Sequence, residues 1–413
     1  MHRQQVLARV ASVMGARPWL APLTLAVSAL ARLVLSFVTP TGLNMVDLRV
    51  YTYGAASLSR GALYTFTFAE MTPNFPLPFT YPPFAALVFF PLHWIPFTAL
   101  AVLWQLATIG ALWGVVRISM QLMLGERADE PVWRGATWMW TALAVWLEPV
   151  RTTLDYGQIN VFLVFGVLLA ARTSRWWLAG ALVGVLAGIK LTPAVTGVYF
   201  LARRNLAAAA FSVVVFAGTV GLSFLVVGDA ARTYFGELVG DASRIGPVGS
   251  AINQSLRGVL TRFAGHDVGT GPLWLIAATC AAVLCVLAWR GLDGEDRLGT
   301  MLIVQFFGLL VSPISWSHHW VWLVPALLWL VHGPLGSTLA ARITAATWLV
   351  VLLVGVIQLL LLRQPTIWDL NRPVLASIGG AIYPAGVAVI LGLMVGQRRL
   401  LRRSTLKQLQ SVG

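Results

Sequence analysis

WLAPLTLAVSALARLVLSFVTPTGLNMVDLRVYTYG, residues 19–54, holds the pattern that decides the fold. Residues 19–38 form an apolar run with one charge, Arg32. About 20 such residues are needed to cross the hydrocarbon core of a bilayer. The stretch TPTG then stops the run, and an acid, Asp47, follows close behind it. Similar long runs recur at 97–120, 206–227, 273–289, 341–362 and 374–396. The basic start of the chain (Arg3, Arg9, Arg17) leads into the first run without a small-residue cleavage site, so that run reads as an uncleaved span.

Composition agrees. Of the 413 residues, 58% are hydrophobic and 11% charged, where a soluble domain has about 25% charged residues. The net charge of +14 is assigned to loops that meet anionic lipid, not to nucleic acid. Cys280 and Cys285 share one apolar run, which indicates neither a disulfide framework nor a zinc site. There is no phosphate-binding GxxxxGK[ST] loop and no dinucleotide fingerprint, and the isolated acids form no cluster for magnesium or zinc. No cofactor is expected.

Shorter apolar segments lie at 136–150, 158–171, 176–189, 191–202, 298–312 and 319–331. Each is near or below the length of a span, which is tolerated where helices pack on one another or line a cavity. Arg172 and Arg175 precede one short pair and Arg203 and Arg204 follow it, so residues 176–202 read as a helical hairpin with Lys190 and Pro193 at its far end. The expected fold is therefore an all-α polytopic membrane protein with about twelve spans. Both termini are placed in the cytoplasm, where the proposed loops hold roughly 18 of the 29 Lys and Arg residues. The run 84–95, interrupted by Pro91 and Pro96, suits a re-entrant or interfacial helix. The whole chain, 1–413, reads as a single transmembrane domain. It has long exterior loops at 39–83 and 228–272 and a basic cytoplasmic tail at 397–413 (Arg398, Arg399, Arg402, Arg403, Lys407).

This topology sends Asp47, Tyr81, Glu148, Arg151, Asp155, Gln158, Asn160, Lys190, Asn253, Gln254, Arg257, His318 and His319 to the exterior side. Ionisable groups at a membrane are costly unless they face water, a partner or a substrate, so one polar cavity is expected. In a helix, Asp47 and Tyr51 share a face by the i, i+4 rule. The carboxylate suits a general base, and equally an acid that complements a helix N-terminus. His318 and His319, in SPISWSHHW (312–320), suit phosphate contact or proton transfer. They also suit an interfacial pair beside Trp316, Trp320 and Trp322. They point about 100° apart on a helix, too far to share one metal. Lys190, in GIKLTP (188–193), needs an anion, either a lipid phosphate or a carboxylate such as Glu148 or Asp155. Arg257, in NQSLRG (253–258), offers a fork for phosphate or is a solvated loop residue. The amides of GQIN (157–160) either hold sugar hydroxyls or cap a helix. The run FPLPFTYPPF (75–84) must be extended and stiff, since proline fixes its own φ and restrains its neighbour.

With those motifs in view, the chain resembles the GT-C membrane glycosyltransferases. VDLRVYTYG, ALYTF, FTYPPF, GQIN, GIKLTP, NQSLRG and SPISWSHHW, in that order, resemble the actinobacterial family that uses polyprenol-phosphate sugars and includes α-(1→2)-mannosyltransferases. The likeness runs from about residue 19 to 396. The stretch 72–97 looks like the branch that elongates phosphatidylinositol tetramannoside to the pentamannoside and hexamannoside. The resemblance implies a GT-C-like fold with interfacial helices in the first exterior loop, set in the plasma membrane with the site on its extracytoplasmic side. It implies a polyprenol-phosphate-mannose donor, a phosphatidylinositol mannoside acceptor and inverting transfer. Asp47 matches the catalytic acid of the first loop. His318 or His319, with Lys190 or Arg257, would face the departing phosphate, and Tyr51, Tyr81, Gln158, Asn160, Asn253 and Gln254 would line the substrate site. The competing readings are a lipomannan-decorating mannosyltransferase or an arabinofuranosyltransferase on the same scaffold, and a lipid or sugar transporter. Transport is disfavoured because no inverted repeat is visible.

Overall fold

A computed structural model describes residues 17–39, 42–72, 74–364, 366–370 and 373–410, without the side chains of 398, 399 and 402–410. Arg3, Arg9 and the basic side chains of the tail lie outside that description.

The chain is helical nearly throughout. Helix α1 (Leu20–Val38) leads to α2 (Val46–Ala56), α3 (Pro83–Phe89), α4 (Phe97–Leu124), α5 (Pro131–Ala144), α6 (Glu148–Tyr156) and α7 (Asn160–Arg172). There follow α8 (Trp176–Ile189), α9 (Thr196–Ala202), α10 (Leu206–Val226), α11 (Gly228–Thr233), α12 (Leu256–Ala264) and α13 (Pro272–Gly291). The chain closes with α14 (Arg297–Val311), α15 (Leu323–His332), α16 (Leu339–Val354), α17 (Val356–Leu362), α18 (Val374–Gly379) and α19 (Ile382–Gln410). Proline stands in the first turn of α3, α5, α6 and α13. There its missing N–H costs nothing, and its fixed φ favours a helix start.

Among the described residues, five helices are long and apolar enough to cross a membrane, or six if the bent pair α6–α7 counts as one span. The chain is thus a polytopic helical membrane protein. Several expected runs are broken. The run 136–150 stops at Ala144, and Glu148 opens a new helix. The run 341–362 divides at Gly355, whose φ of +73° ends α16. A short ladder breaks the helical pattern: Thr67–Phe68 pairs antiparallel with Leu77–Pro78, the second strand lying inside the proline-rich stretch read as extended.

Burial sorts the helices. Residues 298–306 of α14 and 323–330 of α15 are buried on every side, as expected of helices apolar all round. By contrast α10 and α13 turn Val213, Val214, Leu225, Leu275 and Ile276 outward, the surface expected to meet lipid. Helix α8 packs along α10 through a stripe of glycines. A Cβ on Gly180 would sit 2.8 Å from the Ala208 carbonyl, and one on Gly184 2.7 Å from that of Ser212. Small residues at this spacing let two membrane helices approach closely.

The ends of the bundle differ in character. Arg203 donates to the Gly294 carbonyl and Arg297 to that of Ala171. These contacts gather the turns after α7, α9 and α13 at one end. Lys190, at the tip of the α8–α9 hairpin, is at the other, where α2 and the His318 segment meet it.

Candidate active site

Gly157 sets the geometry of this end. It terminates α6 with φ +70°, a conformation open to glycine without strain. A Cβ there would lie 2.6 Å from Leu48 Cβ and 3.1 Å from Met45 Sδ, so hydrogen alone lets the 119° break between α6 and α7 rest against α2. The Met45 N–H donates to the Asp155 carbonyl at 2.9 Å. Helix α2 is pinned with Asp47 in its first turn.

From there one chain of donors runs back to Lys190. The Lys190 ammonium donates to the Tyr81 hydroxyl at 3.3 Å. Tyr81 donates to the Tyr51 hydroxyl at 2.7 Å, and Tyr51 to Gln158 Oε1 at 2.9 Å. With its oxygen occupied, the Gln158 amide turns its N–H groups to the Asp47 carboxylate. Lys190 also donates to Asn160 Oδ1 at 2.9 Å and lies 3.3 Å from His319 Nε2. Asn160 in turn donates to the His318 carbonyl at 3.0 Å. Tyr51, Gln158 and Asn160 are buried, while Asp47, Lys190 and His319 remain half-buried and within reach of a ligand.

Burial pushes the Asp47 carboxyl up to about 6, against the downward pull of the Gln158 amide and the Lys190 charge. A carboxylate in that range is suited to take a proton near neutrality. With the Lys190 ammonium donating to Nε2, the His319 proton sits on Nδ1. That nitrogen is buried without a partner among the described residues, as is Nε2 of His318. The two imidazoles meet edge to face, with centroids 4.9 Å apart.

The structure therefore brings together Asp47, Tyr51, Tyr81, Gln158, Asn160, Lys190, His318 and His319. It places the remaining three elsewhere. Asn253 spends its amide on the carbonyls of Val248 and Pro313 and the N–H groups of Ser255 and Ser315. Gln254 bonds the carbonyls of Ala251 and Gly380 and the N–H of Tyr383. Arg257 forms a two-pronged ion pair with Asp267 at 2.9 and 2.6 Å. The carboxylate facing Lys190 is Asp47, not Glu148 or Asp155. Asp155 pairs with Arg32 of the first span, and Glu148 is wholly buried beside Tyr383 and Ser317.

Sequence reasoning did not foresee a groove of about 330 Å³ that opens from the cluster. Leu163, Val167, Leu191, Val195, Leu309 and Trp322 give it apolar walls, and Asn160 and His319 form a polar end. Its lining comes from four separate segments, so no single sequence window carries the signal. Among the described residues, no group of three His, Cys, Asp or Glu side chains is arranged to hold a metal ion.

A carboxylate of raised affinity for protons near a cation and an apolar groove is equipped for proton transfer beside a lipid chain. Residues 79–313 match glycosyltransferase family 87. The chain is 53% identical over 383 residues to the polyprenol-phosphate-mannose-dependent alpha-(1-2)-phosphatidylinositol pentamannoside mannosyltransferase of Mycobacterium tuberculosis. That match covers 92% of this chain and 88% of the relative. The enzyme of the same description from Mycolicibacterium smegmatis is 54% identical, with 92% of each chain covered. A polyprenol-phosphate-mannose-dependent alpha-(1-2)-phosphatidylinositol mannoside mannosyltransferase from the same organism is 32% identical over 78% of this chain and 77% of its own. No solved structure matches the chain. The protein belongs to glycosyltransferase family 87 and is a membrane-embedded glycosyltransferase.

Proposed function

We propose that the protein transfers mannose from polyprenol-phosphate-mannose to the 2-hydroxyl of a terminal mannose on a phosphatidylinositol mannoside, with the tetramannoside and pentamannoside as acceptors. Asp47 takes the proton of the acceptor hydroxyl. The freed oxygen attacks the anomeric carbon and forms the new C–O bond as the bond from that carbon to the phosphate oxygen breaks. The electron pair leaves with polyprenyl phosphate, and attack opposite the leaving group inverts a β-linked donor to an α product. Lys190 and the Nδ1–H of His319 face the phosphate, the kind of aimed electrostatics that is often the largest catalytic term. The apolar groove ending at Asn160 and His319 suits an isoprenoid tail whose phosphate stops at those residues.

The observation that carries this reading is the donor chain from Lys190 through Tyr81 and Tyr51 to Gln158, beside whose amide Asp47 lies. It sets a base and a cation at two ends of one rigid network. The same reading takes the shorter helices as further spans, about twelve in all, in a GT-C arrangement. Helices α2 and α3 then lie at the outer surface of the plasma membrane, and the site faces away from the cytoplasm. The test is transfer of radiolabelled mannose from purified donor to phosphatidylinositol tetramannoside by the wild type and Asp47→Asn. A longer mannoside from the wild type alone supports base, donor and acceptor together. Equal turnover by the variant removes Asp47 from the reaction. Sugar flux into vesicles without covalent product would favour the transporter reading instead.

A further inference from the structure

The long segment 228–272 and Arg257 were singled out in the sequence, yet the site described above uses neither. They meet in a second cavity of about 370 Å³, lined among others by Asp241, Ser243, Arg257, Thr261, Asp267 and Trp368. Its size lies within the range of about 300–1,000 Å³ typical of ligand pockets.

The chemistry of the lining narrows the ligand. Arg257 is spoken for by Asp267, and a second carboxylate, Asp241, stands in the same wall. Two acids against one paired arginine repel an anion, so the pocket does not suit a phosphate. A long apolar chain would bury the carboxylates without partners, which is costly. What remains is a neutral polyol. The polar groups are held in fixed positions. Asp241 Oδ1 accepts from the N–H and hydroxyl of Ser243 at 2.9 and 2.5 Å. Asp267 Oδ1 also takes the Gly269 N–H at 3.0 Å. Arg257 keeps N–H groups beyond the two spent on Asp267, and the exposed Asp241 carboxylate has acceptor capacity to spare, so the wall offers both a donor and an acceptor. Trp368 supplies an apolar plate with 52% of its surface open, its ring steadied edge to face by Phe75 at 5.3 Å. A flat aromatic beside paired, preset polar groups fits a sugar ring, which has one apolar face and an equatorial fringe of hydroxyls.

The cavity also backs onto the candidate active site. Gly246 lines it, and a Cβ on that residue would lie 3.0 Å from the indole of Trp316 and 3.1 Å from Phe75. Trp316 is two residues before His318, and its backbone bridges to Asn253. The strip that carries the histidines thus forms the partition between the two sites. An acceptor whose last sugar reaches Asp47 has further sugars that must lie against this end of the protein.

We propose that this cavity is a carbohydrate subsite that holds an inner sugar of the acceptor glycan, with Trp368 as its stacking plate and Asp241 and Arg257 as its hydroxyl contacts. The inference rests on the mannoside-acceptor reading given above. The test is steady-state kinetics of the full-length enzyme in detergent, varying phosphatidylinositol tetramannoside and polyprenol-phosphate-mannose in turn, for wild type, Trp368→Ala, Trp368→Phe and Asp241→Asn. Loss of the plate is expected to raise the KM for the tetramannoside roughly tenfold, the equivalent of one stacking contact. The donor KM and kcat stay as in the wild type, and phenylalanine restores most of the loss. An unchanged acceptor KM in Trp368→Ala and Asp241→Asn overturns the subsite. So does a parallel fall in kcat and donor affinity, which marks a disturbed loop. A wild type that makes no longer mannoside from the tetramannoside refutes the acceptor reading itself, whatever the variants do.

Discussion

If Asp47 is the base, the rate should report its proton. Burial holds its carboxyl at about 6, and the base works only when deprotonated. The kcat/KM of the wild type should therefore fall tenfold per pH unit below that value, and fall again above about 7, where burial strips the Lys190 ammonium of its proton. The donor phosphodiester keeps its single charge throughout this range, so it adds no limb. Lys190 is one of the two groups that pull Asp47 down. In Lys190→Met that pull disappears, and a neighbouring charge of this kind is worth about 1–3 pH units. The acid limb should move up by at least about one unit, which near pH 6 is roughly a tenfold loss beyond any loss of phosphate contact. In Asp47→Asn the acid limb should vanish and the maximum drop by about 10²–10⁴, the usual contribution of a general base. The assay is mannose transfer at low acceptor concentration from pH 4.5 to 8.5 in constant-ionic-strength buffers, with folding followed by thermal unfolding at each pH. An acid limb that stays put in Lys190→Met, or that survives in Asp47→Asn, refutes the assignment.

Gly157→Ala should cost about 1–3 kcal/mol through its left-handed φ, and the clash with Leu48 should move Asp47 away from Gln158; a lowered melting temperature with lowered kcat checks this. Arg32→Met should destabilise by about 1–2 kcal/mol, since the Asp155 carboxylate left behind is 37% exposed and partly solvated. Arg32→Met with Asp155→Leu should recover most of that loss, and a double-mutant cycle on unfolding measures it. Val311→Trp, in the wall of the apolar groove, should raise the donor KM roughly tenfold and leave the acceptor KM alone; equal changes in both would count against a lipid groove.

Much of this was legible in the sequence, for physical reasons. The long apolar runs had to be helices, since helices alone satisfy their backbone within lipid without closing a barrel. The hairpin around Lys190 followed from the arginines at both its ends, and Asp47 and Tyr51 followed from their spacing. What sequence periodicity does not carry is which polar residue has a partner. Asn253, Gln254 and Arg257 looked like Gln158 and Asn160 in a linear reading. In space the first two are consumed by backbone groups and the third by Asp267. Arg32 looked like a stray charge in a span until α6 brought Asp155 to it. The groove and the second cavity belong to this class too, since each is assembled from distant segments.

The charge arithmetic of the cluster suggests why a lysine shares a network with the proposed base. At rest the Asp47 carboxylate and the Lys190 ammonium compensate each other, which makes a half-buried pair tolerable at a membrane. Donor binding adds the single negative charge of its phosphodiester. In the proposed reaction Asp47 gains a proton and loses its charge in the same step in which the departing phosphate gains one. The ammonium is then released from the base as the leaving group comes to need it, without moving from its place among Tyr81, Asn160 and His319. A lysine without that carboxylate would bind substrate and product phosphates too tightly, and more so the product with its extra charge. Pairing the cation with the base lets the protonation state of Asp47 set the strength of the phosphate contact. When Asp47 gives up its proton, the pair re-forms and favours release of polyprenyl phosphate.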